Sequence, residues 1–295
     1  MQLGETELGS QHFQKATQIA PKSPEPWSAI ASFHKLRGEY DRAYSALKSG
    51  YANIDEDDKN SRGMLLAEIG ELQLAMQDSK MAIESLKEAS IIQPTDGHIH
   101  HQYGKALMAE KNYLGAVDAL KRASEVAPAD GTVWHDLGLA YQEIGDESSA
   151  LDSLQRAQAS GLNSSSLSQR TGELALALQE YEVARINLEP LVDNQTDDVK
   201  LLSTYGSVLE NTSDWNSALR IYQRAINITP DDESLSAKIG ACYLALDNHK
   251  DAIATLVPAA TKHTTDLRLQ KAASKAYILA EMWSDALPYL SLIHI

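Results

Sequence analysis

One spacing governs what this chain can fold into. Alanine stands at positions 82, 116, 150, 184, 218, 252 and 286, each 34 residues after the last. Glycine stands at 70, 104, 138, 172, 206 and 240 with the same interval, each twelve residues ahead of an alanine. The chain holds only 16 glycines, so six of them in one register do not follow from composition. A period of this length marks a stacked array of small units, each burying its apolar faces against its neighbours. Such an array grows by addition, so the length of 295 residues does not by itself count domains.

Apolar spacing inside one unit sets the local structure. Trp134, Leu137, Gly138 and Tyr141 fall at i, i+3, i+4 and i+7, one face of a helix. Gly145-Asp146 interrupts, and Ala150, Leu154 and Ala157 resume at i, i+4 and i+7. Each unit is therefore two antiparallel helices joined by a tight turn. Pro94, Pro128 and Pro230 close the second helix of their units, since a proline cannot continue it. Gly138 and Ala150 leave room for the two helices to approach closely, and Trp134, Leu137, Tyr141 and Leu154 are expected to fill the space between neighbouring units.

These residues carry a family resemblance. Trp134, Leu137, Gly138 and Tyr141 reproduce the first half of the tetratricopeptide signature W-x2-L-G-x2-Y…A-x3-F…P. Ala218, Tyr222, Ala225 and Pro230 reproduce the second half with Tyr for Phe, and Ala116, Leu120, Ala123 and Pro128 do so with Leu. The chain thus resembles the tetratricopeptide repeat family. That resemblance implies an all-α fold: a right-handed superhelical solenoid of antiparallel helix pairs. It spans 1–295 as a single solenoid, with a half repeat at 1–21 and repeats at 24–62, 63–96, 97–130, 131–164, 165–198, 199–232, 233–266 and 267–295. The half repeat reads as a turn at Leu3-Gly4 and a second-type helix carrying Gly9, Phe13, Ala16 and Pro21. The incomplete units at both ends, and the unrelated-looking SLIHI tail, read as those of a fragment of a longer chain.

Several departures carry expectations. Ala43 and Ala82 are 39 residues apart, and the excess, around Tyr51–Arg62 with Asp55-Glu-Asp-Asp58, predicts a longer solvated loop. Pro190, Pro258 and Pro288 fall inside second helices and predict kinked or shortened helices there. Asn163–Ser168 predicts a looser joint. Trp215 and Trp283, with Tyr40, Tyr113 and Tyr181 at equivalent positions, read as packing residues.

The net charge of −15, from 26 basic and 41 acidic residues, opposes general binding to nucleic acid or anionic membrane. No apolar run is long enough to span a bilayer, and MQLGETELGS has no signal-peptide pattern. These features predict a soluble protein, cytoplasmic by default. No phosphate-binding loop, HExxH, GxSxG, GxGxxG or CxxC occurs, and Asn194 and Asn227 match the glycosylation pattern at a length that chance supplies. The single cysteine, Cys242, reads as a buried small hydrophobe. His98, His100, His101 and His135 cluster, but none are paired at i, i+4. They read as groove residues, with His100 at a packing position, rather than as a metal site. No catalytic residue, metal or cofactor is expected.

In this family the first helix of each unit lines a concave groove. Carried onto this chain, the groove positions are Glu68, Glu71, His101, Lys105, His135 and Asp136, then Arg170, Lys200, Lys238, Arg268, Lys271 and Lys275. The later set is basic, which suits a protein or peptide partner of acidic character. The Lys/Asn clamp by which some relatives hold chaperone tails is not matched by Ser28, Ser32, Glu68, His98 and Gln102. Nor is there an asparagine ladder at 29, 68, 102, 136, 170, 204, 238 and 272. The resemblance implies a non-enzymatic interaction scaffold. The alternatives are a recruiting arm of a glycosyltransferase- or sulfotransferase-type enzyme, or a component of a secretion or pilus assembly.

Overall fold

The computed structural model describes residues 12, 15–193 and 196–291. Among them every regular element is helical. They divide into two compact units, one up to Leu162 and one from Asn163 on. In the first, helix pairs run Pro24–Leu36 with Tyr40–Asn53, Lys59–Ala75 with Ser79–Ile92, Gly97–Ala109 with Tyr113–Val126, and Gly131–Glu143 with Glu147–Ala159. In the second they run Ser165–Ala177 with Tyr181–Leu188, Val199–Asn211 with Trp215–Ile228, Glu233–Ala245 with His249–Lys262, and Leu267–Leu279 with Trp283–Ser291. Inside each unit the two helices of a pair pack together, and each second helix also packs on the first helix of the next pair.

The helices start and stop for local reasons that repeat with the period. Asp96, Asp130, Asp198, Asp232 and Asp266 cap first helices, each side chain accepting from a backbone N–H two or three residues on. Asp78, Asn112, Asp146, Asp214 and Asn248 do the same for second helices. Each cap is worth about 1 kcal/mol by satisfying a donor the helix itself leaves unpaired. The turn within a pair is equally regular. Lys111 adopts φ 60, its N–H donates to Met108 O at 2.9 Å, and the Asn112 N–H donates to Leu107 O at 2.9 Å. That is a left-handed helix stop in which the closing residue is already the cap of the next helix. Gln77, Gly145, Gln179, Ser213, Asp247 and Glu281 take the same left-handed conformation at the same interval. Second helices end at Ile92, Val126 and Ile228, two residues before Pro94, Pro128 and Pro230. The intervening Gln93, Ala127 and Thr229 leave helical geometry (φ −123, −123 and −124), as the residue ahead of a proline must.

The core explains the periodic glycines. A Cβ built on Gly104 would lie 2.5 Å from Leu120 Cγ, and one on Gly138 would lie 2.7 Å from Leu154 Cδ2. Leu86, Leu188, Tyr222 and Leu256 seat in the same way on Gly70, Gly172, Gly206 and Gly240. These glycines are therefore sockets for a large side chain of the partner helix within the same pair. The periodic alanines from Ala43 to Ala252 have no exposed surface. They set the closest approach of the helices.

The structure amends several sequence expectations. The excess residues after Ala43 do not form a long loop. The connection is only 54–58, and the first helix of the second pair instead begins early, at Lys59, and runs 17 residues. Asp58 provides the reason, accepting from the Ser61 N–H at 3.1 Å and starting the helix ahead of Gly63. Pro190 does shorten its helix, which stops at Leu188 and passes into a 3-10 turn, Glu189–Leu191. The helix His249–Lys262 keeps a full 14 residues with Pro258 inside it, so it is not shortened. Trp283 is 63% exposed. Tyr113, at the equivalent position, lies beside Glu143 of the following pair, whereas no further pair follows that of Trp283 among the described residues. Leu3, Gly4, Gly9, Phe13, Asn194 and residues 292–295 lie outside the described residues.

Candidate functional site

Six first helices carry a socket glycine on one face, and first helices present another face to solvent. In the first unit that face carries paired carboxylates and imidazoles. The Ser28 hydroxyl donates to Glu68 Oε1 at 2.7 Å, and the His98 Nε2 pairs with Glu71 Oε1 at 2.7 Å. Beside them is a depression of about 240 Å³, floored by Ala31, Leu47 and Leu72 with Lys35 and both glutamates at its edge. Burial pushes the Glu68 carboxyl above its usual range, the Ser28 hydrogen bond offsets part of that, and the Glu71 charge adds to it.

The expected neighbourhood of His101 and His135 is organised by Asp136. The His101 Nε2–H donates to Asp136 Oδ2 at 2.8 Å, and His135 Nδ1 lies 3.1 Å from Asp136 Oδ1. Burial alone would raise the Asp136 carboxyl, but the two imidazole hydrogen bonds outweigh it and hold it below the ordinary carboxylate range. His101 is buried, whereas Lys105, one turn on, is exposed. His100 is buried, with its Nε2–H on the Pro94 carbonyl at 2.9 Å. No group of three or more His, Cys, Asp or Glu among the described residues is placed to hold a metal ion.

The second unit separates its cations into two kinds. Arg170, Lys200, Arg268, Lys271 and Lys275 are exposed. Lys200 meets Glu173 at 3.1 Å and Arg268 meets Asp266 at 2.9 Å, both in contact with solvent, which screens such pairs. Lys271 and Lys275 have no ion-pair partner among the described residues. Lys238 is different. It is half-buried, its ammonium donates to the Ser207 hydroxyl and lies 5.0 Å from the centre of the Tyr222 ring, and the Tyr222 hydroxyl donates to Glu210 Oε2 at 2.9 Å. Burial lowers the Lys238 ammonium, with the Glu210 charge working against it, and burial raises the Tyr222 phenol. Lys238 is thus largely committed to an internal network. Cys242, behind it, is buried, and burial pushes its thiol up to about 12, which leaves it protonated near neutrality.

This network was not legible in the sequence, although Tyr222 in place of the leucine of other repeats puts a hydroxyl at the end of a socketed side chain. The cleft beside Pro190 left no sequence signal beyond the proline.

Comparison with known proteins comes out on the same fold. No family model and no curated protein matches the sequence. Among solved structures, YrrB, a tetratricopeptide protein described as having an unusual peptide-binding site, is similar with a TM-score of 0.55 and 18% identity, covering 64% of this chain and 98% of its own. PilF of Pseudomonas aeruginosa is similar with a TM-score of 0.52 and 17% identity, covering 70% of this chain and 92% of its own. A tetratricopeptide repeat protein of Parabacteroides merdae is similar at 0.51 and 13% identity, covering 86% of this chain and 98% of its own. The chain has the tetratricopeptide fold. No helix among its described residues is long and apolar enough to cross a membrane.

Proposed function

We propose that this chain is an interaction scaffold that binds a peptide or protein segment on the outward faces of its first helices, and that it is not itself an enzyme. The observation that carries the reading is a division of labour between helix faces. Glycine sockets and periodic alanines commit one helix face to the core, while Arg170, Lys200, Arg268, Lys271 and Lys275 stand exposed on first helices with no part in that packing. That YrrB, of the same fold, is described as having a peptide-binding site supports the class of activity.

The exposed cations favour an acidic segment on the second unit. The pair to test is Lys271 and Lys275, because Lys238 serves the Tyr222 network and its reversal would place two carboxylates together. Lys271→Glu with Lys275→Glu should weaken binding of a fluorescein-labelled glutamate-rich peptide about tenfold, from ~0.7 kcal/mol per reversed exposed charge. It should also flatten the salt dependence of binding. Unchanged affinity in fluorescence anisotropy would reject the acidic partner.

A further inference from the structure

Among the described residues of the second unit, the repeat geometry is interrupted at Pro190, and a cavity lies beside the interruption. Most second helices run 13 or 14 residues, but Tyr181–Leu188 has only 8. Pro190 cannot donate to the Ile186 carbonyl, so the α-helix ends and the chain turns away through Glu189–Leu191. About five residues of helix are missing, roughly 8 Å at the usual rise. Beside the interruption lies a cleft of about 600 Å³ against the two helices of the following repeat, within the size range of ligand sites.

The cleft has an apolar floor and a cationic wall. Tyr205, Leu209 and Ile221 form the floor, and Arg185, Arg220 and Arg224 line the walls. Of the two carboxylates at its edge, Glu189 pairs with Arg185 at 3.3 Å, while Asp214 caps its helix by accepting from the Ser217 N–H at 3.1 Å and keeps its charge, so the lining holds three guanidiniums against two carboxylates. Arg224 is anchored, donating to the carbonyl of Asp193 at 2.5 Å. Arg220 donates only to the Ser217 hydroxyl at 3.0 Å and has no carboxylate partner among the described residues. A guanidinium with an unmatched charge beside an apolar floor is complementary to a carboxylate that carries an aliphatic neighbour. Thr212 and Asp214 at the rim are exposed, so an occupant can continue past the cleft as a chain.

We propose that this cleft is a second peptide-binding site, taking a segment of another protein in which Asp or Glu adjoins a Leu, Ile or Val: the carboxylate on Arg220, the aliphatic side chain on Leu209 and Ile221. None of the first-helix cations Arg170, Lys200, Lys238, Arg268, Lys271 or Lys275 lines it, so it stands or falls independently of the groove reading. The test uses the full chain on an array of hexapeptides that pair Asp or Glu with Leu, Ile or Val at each spacing, with lysine-for-acid counterparts as controls. The strongest binder is then measured by fluorescence anisotropy. Arg220→Glu, at an exposed position, should weaken it at least about tenfold. Thr212→Trp, which fills the cleft from its exposed rim, should do likewise, and Lys271→Glu with Lys275→Glu should not. Unchanged circular dichroism and thermal midpoints check that the variants fold. The proposal is overturned if no acidic hexapeptide binds above its lysine counterpart. It is equally overturned if Arg220→Glu retains binding, or if the Lys271/Lys275 pair loses as much as Arg220→Glu does.

Discussion

Replacing Gly104 by alanine sets two opposing effects against each other. Alanine favours a helix interior by ~1 kcal/mol over glycine. Against that, its methyl would sit 2.5 Å from Leu120 Cγ and 2.7 Å from Leu120 Cδ2, about 1 Å inside normal carbon contact. Leu120 has no exposed surface, so it cannot swing away into solvent, and overpacking of this kind costs ~1–3 kcal/mol. The steric effect wins, and Gly104→Ala should destabilise by ~1 kcal/mol net. Leu120→Ala alone should cost ~2–5 kcal/mol by opening a cavity. In that background the clash is gone, so Gly104→Ala should change sign and stabilise by ~1 kcal/mol. The two changes should therefore couple by ~2 kcal/mol, well outside the ~0.5 kcal/mol scatter of independent sites. Urea unfolding followed by far-UV circular dichroism on the four variants measures the cycle. Additive effects, or a stabilising Gly104→Ala in the parent chain, would refute the socket reading.

The turns and the Asp136 cluster give two further expectations. Lys111 holds φ 60, which costs a side-chain-bearing residue ~1–2 kcal/mol. Lys111→Gly should therefore stabilise by ~0.5 kcal/mol after the added flexibility of the unfolded chain, and Gly145→Ala at φ 78 should destabilise. A lower unfolding midpoint for Lys111→Gly would contradict this. Asp136 is held below its ordinary value of 3.8, so its stabilisation is present above that pH and is lost as pH falls from there through the folded-state value. Asp136→Asn should cost ~1–3 kcal/mol near neutrality by leaving His101 without its buried charged acceptor. The gap between variant and parent should then narrow in urea titrations below about pH 4. A constant gap would show that the carboxylate charge is not what holds His101.

Much of the fold was legible because the same small set of interactions recurs at one interval. The Gly and Ala register announced two helices meeting closely, and the prolines at 94, 128 and 230 marked helix ends. The cap residues at 78, 112, 146, 214 and 248 were equally visible and would have placed the helix starts. The site was less legible. The positions of Glu68, His101 and Lys238 on first helices followed from the period, but their use did not. Burial ties His101 to Asp136, and it ties Lys238 to Ser207 and Tyr222, while Lys271 and Lys275 stay in solvent. A one-dimensional pattern ranks all of these alike, because each partner lies on a different helix or on a different repeat.

Local chemistry along the chain therefore determined the helix pairs, their length and the close approach within them, since caps, left-handed turns and glycine sockets act between residues fewer than twenty apart. Tertiary packing decided which polar side chains remain available to a partner. It also decided what lies beside the interruption at Pro190: a proline in the sequence says only that a helix must fail, whereas two of the three arginines that line the cleft there, Arg220 and Arg224, come from the second helix of the next pair.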